Sequence, residues 1–250
     1  MAFAKLFYHS LIQNSIIDSM KKAWWKILTV VILYYVLFQG LLGTVPRQPI
    51  LNETIRNLYF HVTMWFAMIV MLLVSMIFAI RYLRSSNVID DDKSAAFAKV
   101  GVMFGILGCV TGSLWANFTW GEPWPNDPKL NSAAVGMLIY FAYLLLRSSF
   151  DDEQRRARIS AVYNIFAFAI FMPLIFVLPR LTDSLHPGNG GNPGFSSIDL
   201  DGRMRMVFYP AIIGWILLGT WITSIRYRLK IVQREQEERV SETSGVMMNE

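Results

Sequence analysis

Three histidines occur among the 250 residues, and two of them stand where they could do chemistry. His61 lies in Leu58-Tyr59-Phe60-His61-Val62 and His186 in Ser184-Leu185-His186-Pro187, each beside a long apolar stretch. Between them runs Trp115-Ala116-Asn117-Phe118-Thr119-Trp120-Gly121-Glu122-Pro123-Trp124-Pro125-Asn126-Asp127-Pro128-Lys129-Leu130, in which Pro123, Pro125 and Pro128 exclude a regular helix through the middle. A proline-stiffened loop carrying several indoles offers flat apolar faces on which a macrocycle could stack. The plainer reading is an aromatic belt at headgroup level, and the residues alone leave both open. A neutral imidazole is a common metal ligand and a common axial ligand to haem iron. Taken singly, each histidine also reads as a polar side chain reaching for the headgroups. Zinc would need about four Cys, His or carboxylate ligands. Cys109 stands alone inside an apolar run, as a small hydrophobe. A porphyrin already supplies four nitrogens, so two imidazoles could complete its iron. His9 reads as an ordinary interfacial residue.

The elements that must position these groups are membrane helices. The chain is 54% hydrophobic and only 16% charged, where a soluble domain carries about 25% charge. Crossing the hydrocarbon core takes about 20 mostly apolar residues. Six stretches meet that length, near 24–43, 59–82, 96–118, 131–149, 159–179 and 207–226. The fold class expected is an all-α integral membrane protein of six transmembrane helices. Trp24-Trp25, Trp215 and Trp221 suit interfacial anchoring, and Pro173 is expected to kink the fifth helix. No cleavable signal is evident in the first twenty residues, so the first span is expected to remain as an anchor.

Most of the 23 basic residues fall on one side: Lys5, Lys21, Lys22 and Lys26; Arg81, Arg84, Lys93 and Lys99; Arg147, Arg155, Arg156 and Arg158; Arg226, Arg228, Lys230, Arg234 and Arg239. Only Arg47, Arg56, Lys129, Arg180, Arg203 and Arg205 fall on the other. The positive-inside rule therefore places both termini in the cytoplasm and sends loops 44–58, 119–130 and 180–206 outward. His61 and His186 then share the outer face. Asp90-Asp91-Asp92-Lys93 and Asp151-Asp152-Glu153-Gln154-Arg155-Arg156 read as charged cytoplasmic connectors. Residues 1–230 form the transmembrane domain. Residues 231–250 form a charged cytoplasmic tail, expected to extend the last helix briefly and then to be disordered. The glycine-rich run from Gly188 to Gly194 reads as a flexible connector, with a gate as the second reading.

The segment Trp120-Gly121-Glu122-Pro123-Trp124-Pro125-Asn126-Asp127-Pro128-Lys129-Leu130-Asn131 resembles the tryptophan-rich WWD signature of haem-handling membrane proteins, roughly WGxWWxWDxRLT in the CcmC branch. Trp120, Gly121, Trp124, Asp127 and Leu130 match, Lys129 conserves a charge, and Gly112-Ser113-Leu114-Trp115 is similar to the run that leads into the motif. Pro123 and Asn126 replace motif tryptophans, which thins the aromatic platform, and Pro128-Lys129 is similar to the CcsA branch. The resemblance extends over the chain in helix number, order and loop lengths. It implies a haem-delivery component of cytochrome c maturation in the bacterial inner membrane, binding b-type haem non-covalently and transiently. His61 and His186 would be the axial ligands, Trp115, Trp120 and Trp124 would wall the porphyrin, and Asp127 would orient the loop or touch a partner. Lys129, Arg56, Arg180, Arg203 and Arg205 are the cations available to the propionates.

Implied partners are a haem chaperone like CcmE, ABC transporter subunits like CcmA and CcmB, and a small subunit like CcmD. The chain has no GxxxxGK[ST] motif, so it reads as a transport subunit and not an enzyme, with any ATP hydrolysis supplied by a partner. The net charge of +5 does not point to nucleic acid, because in a membrane protein the position of the charges matters more than their sum; the expected partner is the lipid bilayer. Two other classes stay open: a b-type cytochrome or quinone-linked redox subunit, and a secondary transporter. A CcsA-type cytochrome c synthase subunit is the alternative within the family.

Overall fold

The computed structural model describes residues 23–47, 51–186 and 200–247. His9, the start of the chain and the Gly188–Gly194 run lie outside the described residues. Six helices are long and apolar enough to cross a membrane: α1 (Ala23–Leu42), α2 (His61–Ser85), α3 (Val88–Trp120), α4 (Pro128–Ser148), α5 (Glu153–Phe176) and α6 (Gly202–Met247). Among the described residues there is no strand. The loop expected before the second span contains a 3-10 helix, Asn52–Tyr59, whose three-residue turn sets Ile55 and Leu58 on one buried side.

α2 is the centre of the bundle, packing on α3, α5, α6 and the 3-10 helix. Its closest neighbour is α3, and the cause is a glycine stripe at Gly101, Gly105, Gly108 and Gly112. A Cβ built at these positions would fall within 3.0 Å of Leu72, of Met68 and Met137, of Trp65, and of His61 in turn. With little hydrophobic driving force between helices in lipid, such stripes let backbones approach and gain van der Waals contact. The core beside this seam is rich in sulfur and aromatic rings: Met64, Met68, Met71, Met137, Phe104, Phe171, Tyr140 and Tyr143. A second cluster, at the histidine end, joins α1, the 3-10 helix and α6 through Val36, Ile55, Tyr59, Met204 and Phe208. α5 continues through Pro173 and α6 through Pro210. At Pro210 the carbonyl freed one turn earlier, on Met206, accepts the Tyr35 hydroxyl at 3.2 Å.

The end opposite the histidines corrects two expectations. Asp90, Asp91 and Asp92 are not a connector. Only Ser86 and Asn87 link α2 to α3, with Asn87 capping the new helix at the Ile89 amide, so the three aspartates fall in its first turns and are buried. Consecutive helical residues point about 100° apart, so each carboxylate meets a different neighbour. Asp90 meets Arg81 of α2 at 3.3 Å, and Asp91 meets Arg147 of α4 in a bidentate pair at 2.7 and 2.6 Å. Asp92 meets Arg234 of α6 at 2.7 and 3.0 Å, and Arg234 also binds Glu153 of α5. The second connector is likewise mostly helix: Asp152 caps α5 at the Arg155 amide. The tail does not lose structure after a short extension. α6 runs to Met247, and Arg234 ties its polar part to α3 and α5.

Above the aspartates a buried polar knot joins three helices. Asn164 of α5 donates to Ser75 of α2 at 2.8 Å and to Ser94 of α3 at 3.2 Å, while the two serines bond each other's carbonyls. Removing one partner of the Asp91–Arg147 pair leaves a buried charge without its counterion. Arg147→Met is expected to destabilise the protein by about 3–5 kcal/mol, read as a lowered Tm in detergent. Asp91→Leu combined with Arg147→Met should recover most of the loss.

Candidate ligand-binding end of the helix bundle

α3 ends where the tryptophan segment begins. Gly121 closes the helix at φ +85°, a left-handed conformation open to glycine without strain, and its amide returns to the Asn117 carbonyl at 3.2 Å. The chain then turns through Glu122–Asn126, and Pro128 takes the first position of α4, where its missing amide hydrogen costs nothing. Asp127 is the N-cap of α4, accepting the Lys129 and Leu130 amides at 2.9 and 3.3 Å.

Asp127 does more than cap. It is 1% exposed, and its other contacts reach across to the segment after α5. One oxygen accepts the Ser184 hydroxyl at 2.8 Å and the Leu185 amide at 2.7 Å; the other lies 3.0 Å from His186 Nδ1. Burial alone would raise the Asp127 pKa. The hydrogen bonds from His186, Leu185 and Ser184 outweigh it and hold the carboxyl well below the usual range. An ionised carboxylate only accepts, so His186 carries its proton on Nδ1 and turns Nε2 away.

His61 is held from another direction. It opens α2, and its Nδ1 lies 2.9 Å from the Gly108 carbonyl of α3, with the Thr111 hydroxyl at a longer 3.4 Å. A carbonyl also only accepts, so His61 too is protonated on Nδ1 with Nε2 left over. The ring fits because Gly112 has no side chain: a Cβ there would lie 2.4 Å from His61 Cε1. Asn57 of the 3-10 helix bonds the Thr111 carbonyl at 2.9 Å, fastening the same region from outside.

Each imidazole has an indole beside it. Trp115 stands edge-on to His61 at 5.9 Å between ring centroids and bonds Thr54 through Nε1 at 3.0 Å. Trp120 stands edge-on to His186 at 4.9 Å. Trp65 is a further neighbour of His61, at 6.4 Å. Trp124 contacts neither histidine among the described contacts. It is 40% exposed and bonds Asn131 at 3.3 Å, while Asn131 in turn bonds Asn126. His186 and Lys129 both lie within electrostatic range of His61, and Lys129 in turn feels the charges of Arg180 and Asp127.

The structure also sorts the cations. Arg56 is engaged by Glu53 and by the Gly40 and Gly43 carbonyls at the end of α1. Arg180 donates to the Phe176 carbonyl, and Arg205 to the Leu200 carbonyl at 2.9 Å. Arg203 lines a separate cavity of about 200 Å³ with Tyr35, Gln39 and Tyr59. Of these five basic residues, Lys129 is the one whose charge acts on His61. Sequence reasoning assigned no role to Gly108, Gly112, Trp65 or Ser184. The signal for the glycines was present, since Gly101, Gly105, Gly108 and Gly112 recur at helical spacing within an apolar run.

Fold and site together define a polytopic helical membrane protein that gathers two imidazoles and their attendant indoles at one end of the bundle. The family model described as "CcmC: Heme exporter protein C" matches residues 8–242, and the chain belongs to that family. It is 31% identical over 178 residues to Heme exporter protein C of Bradyrhizobium diazoefficiens, covering 70% of this chain and 66% of that protein. It is 28% identical over 142 residues to Heme exporter protein C of Escherichia coli, covering 57% of this chain and 56% of that protein. A shorter match, 36% over 86 residues, joins 34% of this chain to 28% of the cytochrome c biogenesis protein CcsA of Synechococcus. The matches thus span between about half and two thirds of the Heme exporter C relatives, and less of CcsA.

Asp127 links pH to stability at this end. Its folded pKa is depressed, so its contribution is complete above the unfolded value of about 3.9 and fades as pH falls below it. Asp127→Ala should lower Tm at pH 7, with about 1 kcal/mol from the lost cap alone. The gap between variant and wild type should narrow as the pH is taken from 5 towards 3, followed by thermal unfolding in detergent.

Proposed function

We propose that this protein is a haem-handling subunit of cytochrome c maturation. In this reading it holds b-type haem non-covalently at the outward end of its bundle and presents it to a haem chaperone. The observation that carries the reading is the pair His61 and His186. Each imidazole is fixed through Nδ1 to an acceptor of the protein, each keeps Nε2 out of that bond, and each has an indole at its side. Metal-ligating histidines are typically oriented in this way by a second hydrogen bond. Haem, as cargo, brings iron that accepts two axial nitrogens.

His61 and His186 are the axial ligands in this proposal, and Trp115, Trp65 and Trp120 flank them. Trp124 lies towards the rim. Lys129 is the cation for a propionate, since Arg56, Arg180 and Arg205 are engaged by the protein's own acceptors. Asp127 acts through His186 and not on haem itself. The charge distribution supports cytoplasmic termini and an inner-membrane location with the histidines outward. The family's printed name supports an exporter assembly. In this reading a CcmA-like ATPase, its CcmB-like membrane partner and a small CcmD-like subunit work beside this chain, and a CcmE-like chaperone accepts haem. The match to CcsA favours, as second reading, a cytochrome c synthase subunit using the same ligands.

His61→Gly or His186→Gly should convert low-spin, six-coordinate haem to a form with one open axial position and lower its retention. Added imidazole should restore the low-spin spectrum and part of the cytochrome c yield, while His9→Gly should change nothing. Wild-type spectra and yield in both outer variants would reject the ligand assignment. Gly112→Ala, by displacing the His61 ring, should cut haem retention about tenfold without lowering protein yield. Orientation is checked in a Cys109→Ser background. Asn126→Cys, which is exposed, should react with an impermeant maleimide added outside, and Ser149→Cys only after the other side is opened.

A further inference from the structure

The two imidazoles are anchored by chemically different partners, and this bears on how haem leaves. We infer that His186, bound to the Asp127 carboxylate, is the anchoring iron ligand, and that His61, bound to the Gly108 carbonyl, is the exchanging one. This inference rests on the ligand assignment proposed above and adds an order of events to it.

A hydrogen bond to an ionised acceptor is roughly twice as strong as one between neutral groups. A carboxylate on Nδ1–H also pushes electron density into the ring and raises the basicity of Nε2. His186 has such a partner at 3.0 Å, and the carboxylate is buried. The backbone that carries His186 is fixed by the same group: Asp127 accepts the Leu185 amide and the Ser184 hydroxyl, and Ser184 Oγ accepts the His186 amide at 3.2 Å. Asp127 is in turn fixed to α4 as its cap. Ring and backbone of His186 are therefore both tied to a helix start. His61 has a neutral carbonyl at 2.9 Å and a distant hydroxyl at 3.4 Å. Its Nε2 is the weaker donor of the two.

Transfer then proceeds as a ligand exchange. The iron–Nε2 bond of His61 breaks, and the lone pair stays on the imidazole. A Lewis base of the acceptor donates its own lone pair to the vacated position. No electron is transferred, and no proton moves, because His61 keeps its Nδ1 hydrogen on the Gly108 carbonyl. The His186 bond is the last to break. Asp127 is a positioning residue in this scheme.

Carbon monoxide on the reduced, haem-loaded full-length protein displaces one axial ligand and reports which. If His61 yields, the carbonyl adduct of wild type keeps His186 opposite the gas. Its iron–carbon and carbon–oxygen stretches in resonance Raman spectra should then match those of His61→Gly and differ from those of His186→Gly. A wild-type adduct that matches His186→Gly instead overturns the inference while leaving the ligand assignment standing. Haem spectra unchanged in both glycine variants would remove the ligand assignment and the inference with it.

Asp127→Asn keeps the side chain's shape and removes its charge. It should move the haem reduction potential to more positive values and weaken retention about ten- to a hundred-fold. Ser184→Ala, which leaves the carboxylate on His186, should leave the potential where it is. A wild-type potential in a folded Asp127→Asn protein overturns the inference. Should that variant not fold, the carbonyl comparison decides without it.

Discussion

A carboxylate buried in a membrane protein must find its counterions and hydrogen-bond donors within the protein, because lipid supplies none. Four aspartates impose that constraint here, and between them they hold both ends of the bundle. Asp90, Asp91 and Asp92 enter the start of α3 and draw arginines from α2, α4 and α6. Asp127 enters the start of α4 and draws a hydroxyl, an amide and an imidazole from the segment after α5. Each group lies near a helix N-terminus, where the unsatisfied amides and the helix dipole favour negative charge. The packed middle could tolerate some sliding of methionine against aromatic side chains. The charged ends cannot, because each displaced partner would strand a charge.

The glycine stripe carries this frame to the seat of one imidazole. α2 and α3 are joined by a two-residue link at the aspartate end and lie close along Gly101, Gly105, Gly108 and Gly112 as they run to the histidine end. The last two of these glycines meet Trp65 and His61, and Gly108 supplies the carbonyl that fixes the imidazole. The contact that brings the helices together is thus also the seat of one ring. A larger residue at Gly101 or Gly105 would act at a distance, by levering α2 away from the Gly108 carbonyl.

Much of this was legible in the sequence, for definite reasons. Six apolar stretches of membrane-crossing length gave six helices, since length and hydropathy determine what can cross. Pro123, Pro125 and Pro128 marked the break between α3 and α4, and the WWD resemblance led to the family. The aspartates were misread because charge suggests solvent until its partners are known. Arg147 and Arg234 lie 56 and 142 positions away from theirs, and no local pattern announces such pairings. Asp127 was noticed for its motif, but its link to His186 crosses 59 positions and depends on how the segment after α5 returns to the bundle. The glycine spacing is visible in the sequence, but close approach gains meaning only with the facing residues, Trp65 and His61, which lie on another helix.

The placement of the two imidazoles bears on what such a site can do. A cofactor meant to stay is commonly gripped between helix interiors, where both ligands share the rigidity of the core. Here one imidazole begins a helix, and the other lies on a connector pinned back to the start of α4 by a single carboxylate. The indoles follow the same division, Trp115 with the first imidazole and Trp120 with the second. Each half of the site is rigid within itself: His61 and Trp115 are fixed to α3 and the 3-10 helix, and His186 to the start of α4 through Asp127. No described hydrogen bond joins one imidazole to the other. A planar ligand between the two halves would itself be the link across the site, so its removal need not break the fold on either side. That property suits a protein that must bind its cargo firmly and still let it go.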